Sequence, residues 1–265
     1  MKGPTMAVIE QPKTQSQGTR TCRLRVYRYK RGDGKEHFDE FEVPVDQHAT
    51  LLDALRWIQR HLDPSLSLRY SCMHASCGTC GMRADGEETL ACVCSLAEHG
   101  DEVTVEPLAN QPILTDLVLD MKPFYARFYD EHPIIRTSEQ PADAQPPQDT
   151  GPFVRLEDCI ECGLCLSACP VAATELDYAG PAALSGAQRL LEEPRGGDRE
   201  DVLAWASKPD GAWRCHLGFC CTDVCPTDQH PSERLMALRH ELAFGALHAE
   251  LDSAVIHRGK KEPTR

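Results

Sequence analysis

Between Cys22 and Tyr29 apolar and charged positions alternate, with Leu24 and Val26 set against Arg23, Arg25 and Arg28. This is the period-two signature of a half-buried strand. Arg31-Gly32-Asp33-Gly34 supplies a turn, and residues 38–45 alternate again, so the segment predicts a β-hairpin. Thr50, with Asp53 three residues on, has the form of a capping box. It opens a helix with Leu51, Leu55, Ile58 and Leu62 on one face, which ends near Asp63-Pro64. Short strands are predicted at 81–84 and 90–91 about the Asp85-Gly86 turn, and a closing strand at 102–108.

A helix is predicted over 116–130, with Leu117, Leu119, Phe124 and Phe128 as buried positions. The composition then shifts. Residues 137–152 hold Pro141, Pro146, Pro147 and Pro152 among Ser, Gln, Asp and Gly, and read as an extended connection. Beyond it, helices are predicted over 181–193, 200–207 and 231–251. Arg189 and Arg195, with Glu192 and Glu193, read as a solvated helix face. The layout is a flexible tail (1–20), an α+β domain (21–110), a helix and Pro-rich connection (111–152), a helical domain (153–252) and a second tail (253–265).

Composition narrows the function. The chain has 265 residues, 41 acidic and 28 basic side chains and a formal net charge of −13. That balance argues against nucleic acid as a partner, because phosphate binding needs clustered Lys and Arg. No run approaches the ~20 apolar residues of a membrane helix, and the start carries no apolar signal-peptide region. Fourteen cysteines stand out. In a chain without a secretion signal, clustered cysteines point to metal ligands rather than disulfides.

The first cluster is Cys72, Cys77 and Cys80, followed by Cys92. The C-x4-C-x2-C…C spacing is that of plant-type [2Fe–2S] ferredoxins, in which four thiolates hold two bridged irons. Gly78 and Gly81 relax the backbone of the wrapping loop. A structural zinc site is the alternative, but zinc favours paired C-x2-C knuckles and only one is present here. His74 lies inside this loop; a Rieske-like role would need two histidines on one iron, so it reads as a loop residue, a candidate to face a partner.

The second constellation is Cys159, Cys162, Cys165 and Cys169-Pro170, the C-x2-C-x2-C-x3-C-P run of bacterial ferredoxins. In that pattern the fourth cysteine ligates the other cluster. A second run follows: Cys215, Cys221 and Cys225-Pro226, with Gly218 where the middle cysteine belongs. Exchange of fourth ligands puts Cys159, Cys162, Cys165 and Cys225 around a [4Fe–4S] cluster. Cys169, Cys215 and Cys221 remain for the other, and a cuboidal cluster lacking one ligand tends to lose that iron, giving [3Fe–4S]. Cys220 is an alternative ligand there, though out of phase. Cys22, Cys94 and Cys220 are left as buried or idle thiols. His48, His61 and His99 carry no pattern.

This order of motifs resembles the iron–sulfur subunit of succinate dehydrogenase and fumarate reductase over about residues 22–251. The resemblance rests on Cys72…Cys77-Gly78…Cys80-Gly81, Glu161-Cys162-Gly163-Leu164-Cys165, Ala168-Cys169-Pro170, Gly180-Pro181-Ala182-Ala183, Trp213-Arg214-Cys215 and Val224-Cys225-Pro226. It implies an α+β chain: a plant-type ferredoxin (β-grasp) domain followed by a mostly helical bacterial-ferredoxin-like domain. It implies electrons entering from the FAD of a flavoprotein partner, which performs the dicarboxylate chemistry. They would pass through [2Fe–2S], [4Fe–4S] and [3Fe–4S] to a quinone at the junction with a membrane-anchor partner. The location implied is peripheral, on the cytoplasmic face of the membrane.

The family's quinone pocket maps onto Pro170, Thr174, His216 and Arg239. Thr174 replaces a Trp usual in ubiquinone-linked members, and Arg239 a Lys. The missing Trp and the Cys-Gly-Leu-Cys wording point to menaquinone. Fumarate reduction in the reverse direction, a soluble multi-cluster carrier serving another flavoprotein, and a zinc-stabilised module are the alternatives.

Overall fold

The computed structural model describes residues 19–32, 34–129, 159–192 and 199–258, with side chains of the last helix through residue 245. Most of the expected N-terminal tail, the Pro-rich connection at 137–152, and Glu193 and Arg195 lie outside the described residues.

The first alternating segment forms β1 (Arg20–Arg28) and the second β2 (His37–Val45), paired antiparallel with Leu24 opposite Phe41. Cys22, Leu24 and Val26 point inward and are fully buried. Next come α1 (Leu51–His61), β3 (Gly81–Ala84), β4 (Glu87–Leu90) and β5 (Glu102–Glu106). The sheet order is β2-β1-β5-β3-β4, with β1 parallel to β5. The capping box at the start of α1 is present: the Thr50 hydroxyl accepts from Asp53 N–H (3.2 Å) and Asp53 accepts from Thr50 N–H (3.1 Å). Leu51, Leu55 and Ile58 of α1 are buried in the same core as β1 and β5.

Arg28, expected on the solvent face, is buried instead. The reason is charge. Its guanidinium meets Asp39 (2.9 Å), Asp116 (3.2 Å) and Asp63, which together repay the desolvation of one cation.

The same network overturns the helix expected from residue 116. Asp116 has φ 43° and sits in a tight turn between β6 (Ile113–Thr115) and β7 (Val118–Leu119). Its carboxylate accepts from Arg28, from Tyr29 N–H (3.1 Å) and from Ser67 N–H (2.8 Å), so it is tied to the first domain. The helix, α2, covers only Lys122–Tyr129, and Phe124 and Phe128 are buried as expected.

The second half contains α3 (Leu164–Ser167), α4 (Pro181–Glu192), α5 (Arg199–Ala206), a 3-10 turn (Ala212–Arg214), α6 (Cys220–Asp223) and α7 (Pro231–Arg258). α7 continues past the predicted end at 251, through residues assigned to a tail. Glu192 is not on a solvated face: it pairs with Arg234 of α7 at 3.2 Å, because α4 lies along α7. Ser167 joins the two halves, donating to Glu88 of β4 and accepting from Ala109 N–H, both at 2.8 Å. Asn110 donates to the carbonyls of Leu166, Ser167 and Cys169.

Candidate metal centres

The loop carrying Cys72, Cys77 and Cys80 is wound by left-handed residues: Met73 (φ 63°), Ala75 (φ 60°) and Gly78 (φ 67°). This winding turns successive N–H groups inward, as in an anion-binding nest. His74 and Ser76 N–H point at Cys72 Sγ (3.5 and 3.3 Å), and Ala75 N–H at Cys92 Sγ (3.3 Å). The hairpin pairing of Gly81 with Leu90 sets Cys80 beside Cys92. The His74 N–H, ahead of other donors, holds the Cys72 thiol down at about 7. Burial pushes Cys80 up to about 12. The His74 ring is 2.6 Å from the Cys72 carbonyl oxygen and exposed, which is the loop role expected of it.

The second and third sites are built by an internal repeat. A shift of 56 residues carries Cys159, Cys162, Cys165 and Cys169 onto Cys215, Gly218, Cys221 and Cys225. The backbone repeats with it. Glu161 (φ 51°) corresponds to Leu217 (φ 55°), and Gly163 (φ 82°) to Phe219 (φ 61°), each preceding a one-turn helix, α3 or α6. Gly218 therefore stands where Cys162 stands, and Cys220 where Leu164 stands.

Cys159, Cys162, Cys165 and Cys225 line one cavity of about 390 Å³, walled by Phe124, Phe128 and Ile160. Arg189 borders this cavity, so it too is not a freely solvated residue. Burial pushes Cys162 up to about 11 and also raises Cys165 well above its ordinary value. Thiolates there need a positive partner, which iron supplies. Gln229 N–H points at Cys225 Sγ (3.3 Å). Among the described residues, no three His, Cys, Asp or Glu side chains close on a single-ion site. The donors are all-sulfur and ring a space much larger than one ion, which fits a cubane cluster.

Cys169, Cys215 and Cys221 line a third, smaller cavity with Pro170, His216, Gly218, Phe219 and Cys220. Leu217 N–H points at Cys215 Sγ (3.3 Å), and the Cys221 sulfur is 3.1 Å from the Ser232 hydroxyl. The Cys220 thiol instead donates to the Gly218 carbonyl at 3.4 Å. Tyr178 also lines the cavity, fully buried, and its hydroxyl has no hydrogen bond. An orphaned hydroxyl beside these thiols fits a bound group that accepts hydrogen bonds.

Of the four residues assigned to a quinone pocket, Pro170 and His216 share this cavity and are exposed. Thr174 is exposed, its hydroxyl bonded to the Val171 carbonyl (3.2 Å). The Arg239 guanidinium is turned onto backbone: it donates to the carbonyls of Ala212 (2.9 Å), Trp213 (3.0 Å) and Cys215, and lies 5.6 Å from the Trp213 ring. Of the three spare cysteines, Cys22 is in the core, and Cys94 is 3.4 Å from His99, which also meets Asp85 at 2.9 Å. Sequence reasoning missed Tyr178 and Ser232, since nothing about a lone Tyr or Ser marks it as facing sulfur.

Comparison with known proteins identifies the two domain types and the family. Residues 23–126 match the family described as 2Fe-2S iron-sulfur cluster binding domain, and residues 155–228 the family described as 4Fe-4S dicluster domain. The fumarate reductase iron-sulfur subunit of Mycobacterium tuberculosis is 38% identical over 79% of this chain and 87% of its own length. The succinate dehydrogenase iron-sulfur subunit of Paracoccus denitrificans is 33% identical over 84% of this chain and 88% of its own. The chain belongs to the family of succinate dehydrogenase and fumarate reductase iron–sulfur subunits. A chain of the Mycobacterium smegmatis Sdh1 complex in the apo form superposes with a TM-score of 0.75 at 27% identity, over 85% of this chain and 97% of that one. This protein is thus an electron-transfer subunit of an oxidoreductase complex, carrying 2Fe-2S and 4Fe-4S cluster domains. Among the described residues, no helix is long and apolar enough to cross a membrane.

Proposed function

We propose that this subunit links a flavoprotein partner, with its FAD and dicarboxylate site, to a quinone held beside a membrane-anchor partner. When bound, a [2Fe–2S], a [4Fe–4S] and a [3Fe–4S] cluster supply one-electron steps between the two-electron flavin and the two-electron quinone. In this reading Cys72, Cys77, Cys80 and Cys92 hold the first. Cys159, Cys162, Cys165 and Cys225 hold the second, and Cys169, Cys215 and Cys221 the third.

The observation that carries the reading is the 56-residue repeat with Gly218 in the place of Cys162. It leaves Cys169, Cys215 and Cys221 in ligand register at the third cavity, where Cys220 is turned to the Gly218 carbonyl, while the second keeps four. The chain's own residues set the order of the stations. The first loop packs on the Ile160–Cys162 backbone, and the two repeats interleave, with Cys225 in the second cavity and Cys169 in the third.

At the far end, exposed Pro170, His216 and Phe219 line the third cavity, and Pro170 and His216 belong to the surface read as the quinone site. An exposed Thr174 in place of an aromatic favours menaquinone. The complex would lie on the cytoplasmic face of the membrane, working as a succinate dehydrogenase. Fumarate reduction is the second reading, favoured by the 38% identity to a fumarate reductase subunit.

Low-temperature EPR of the purified complex tests the cluster set. The air-oxidised sample should show the near-isotropic signal of a [3Fe–4S] centre, and reduction should add [2Fe–2S] and [4Fe–4S] signals. An oxidised sample silent in that region at full iron content would overturn the three-thiolate site. Initial rates with succinate and a menaquinone analogue, against fumarate and the corresponding quinol, decide the direction.

A further inference from the structure

Tyr178 heads the fully buried side chains by volume, at 1% exposure. Its place is set firmly. Ala179 N–H donates to the Asp210 carbonyl (2.9 Å), and Gly180 (φ 87°) approaches Leu166 so closely that a Cβ there would stand 2.9 Å from it. The phenol ring is thereby held against the wall of the third cavity, and its hydroxyl is without a hydrogen bond. A buried hydroxyl left unpaired is costly, and a phenylalanine of the same shape would avoid that cost. The sulfur-bearing residues that share its cavity are Cys169, Cys215, Cys220 and Cys221.

A second buried hydroxyl stands on another element. Ser232, in the first turn of α7 and 1% exposed, has its oxygen 3.1 Å from Cys221 Sγ. Its backbone N–H is occupied by the Thr222 hydroxyl (3.1 Å), which fixes the residue in position. A hydroxyl contact at the second site, Thr227 to Cys225, is longer, at 3.8 Å.

We propose that the hydroxyls of Tyr178 and Ser232 donate hydrogen bonds to the sulfurs of the third cluster, at Cys215 and Cys221, and so raise its reduction potential. This rests on the assignment of Cys169, Cys215 and Cys221 as the ligands of that cluster. The physical reason is charge. Reduction adds an electron shared over iron and sulfur, and a donor aimed at sulfur stabilises the more negative state. Both residues act through a ligand and are positioning residues. Their effect makes the last station a better electron acceptor from the second cluster.

The test is an EPR-monitored redox titration of the whole complex in wild type, Tyr178→Phe and Ser232→Ala. Each variant should keep the oxidised [3Fe–4S] signal and its iron content. Each should reduce that centre about tenfold less at a given potential, a downward shift of about 59 mV for a one-electron couple. The [2Fe–2S] and [4Fe–4S] midpoints should not move. Either variant titrating at the wild-type potential with its signal intact overturns that donor. Absence of the [3Fe–4S] signal in the wild type overturns the ligand assignment and the inference with it. The two residues lie on different elements, so a variant that fails to load its cluster leaves the other to decide.

Discussion

Gly78 packs against Cys162 so closely that a Cβ built on it would stand 2.9 Å from the Cys162 Cβ and 2.7 Å from the Ile160 carbonyl oxygen. The first cysteine loop therefore touches the backbone that carries Cys162, one of the thiols lining the second cavity. Gly78 also adopts φ 67°, where a side chain adds strain. Gly78→Ala should destabilise the subunit by about 2–4 kcal/mol and push the two loops apart. Magnetic coupling between the reduced first and second clusters, seen as altered EPR relaxation, should weaken. Unchanged relaxation with unchanged stability would contradict this close approach.

Gly218 has room for a ligand. A Cβ there meets only Cys220 Sγ, at 3.8 Å, and its φ is not in the left-handed range. Gly218→Cys should therefore be tolerated and should place a fourth thiol at the repeat position of Cys162. The expected result is one more iron per complex, loss of the oxidised [3Fe–4S] signal and slower quinone reduction. Cys220→Ser should leave the third cluster in place, whereas Cys221→Ser should lose it; iron and sulfide analysis decides between the two sulfurs.

Arg239 gathers the carbonyls of Ala212, Trp213 and Cys215 with one planar fork. Lysine carries the charge but cannot span the three acceptors. Arg239→Lys should therefore lower third-cluster occupancy and cost about 1–3 kcal/mol of stability. If the positive charge alone mattered, as for contact with quinone, occupancy would hold and only the KM for quinone would rise. Iron content and quinone kinetics on one preparation separate these outcomes.

Asp63 links stability to pH. The Ser65 hydroxyl, followed by the Arg28 guanidinium, lowers its carboxyl from 3.8 to about 2. A carboxylate with a depressed folded pKa contributes stability that is present above its unfolded value and is lost as pH falls through the folded one. Asp63→Asn should cost about 2 kcal/mol at neutral pH, and the gap to wild type should close between about pH 4 and pH 2. Clusters are lost from both proteins in acid, so the readout is the difference in unfolding midpoint at each pH. A gap that stays constant to pH 2 would show that Asp63 is not charge-paired.

Local patterns were legible where the physics is local. The alternation at 22–26 forms β1, the capping box at Thr50 starts α1, and the cysteine spacings point to one 2Fe-2S and one 4Fe-4S type of domain. The failures share a cause. The sequence neighbours of Arg28 point to solvent and those of Asp116 to a helix, but each residue is held by the other across 88 residues. That ion pair buried an arginine expected on the surface and replaced the first turn of a predicted helix with a hairpin turn. Glu192, read as solvated, was claimed in the same way by Arg234 of α7.

What the sequence determined by itself was chemistry set by spacing: how many thiols each loop can offer, and that Gly218 removes one. Loop geometry follows from the number of residues between ligands, so the count survives folding. Tertiary structure decided what faces those thiols. The contact of Gly78 with Cys162, the turning of Arg239 onto carbonyls and the burial of Tyr178 and Ser232 beside sulfur all join residues far apart in the chain. No period or motif encodes such contacts, because they arise only when separate elements close over a shared cavity.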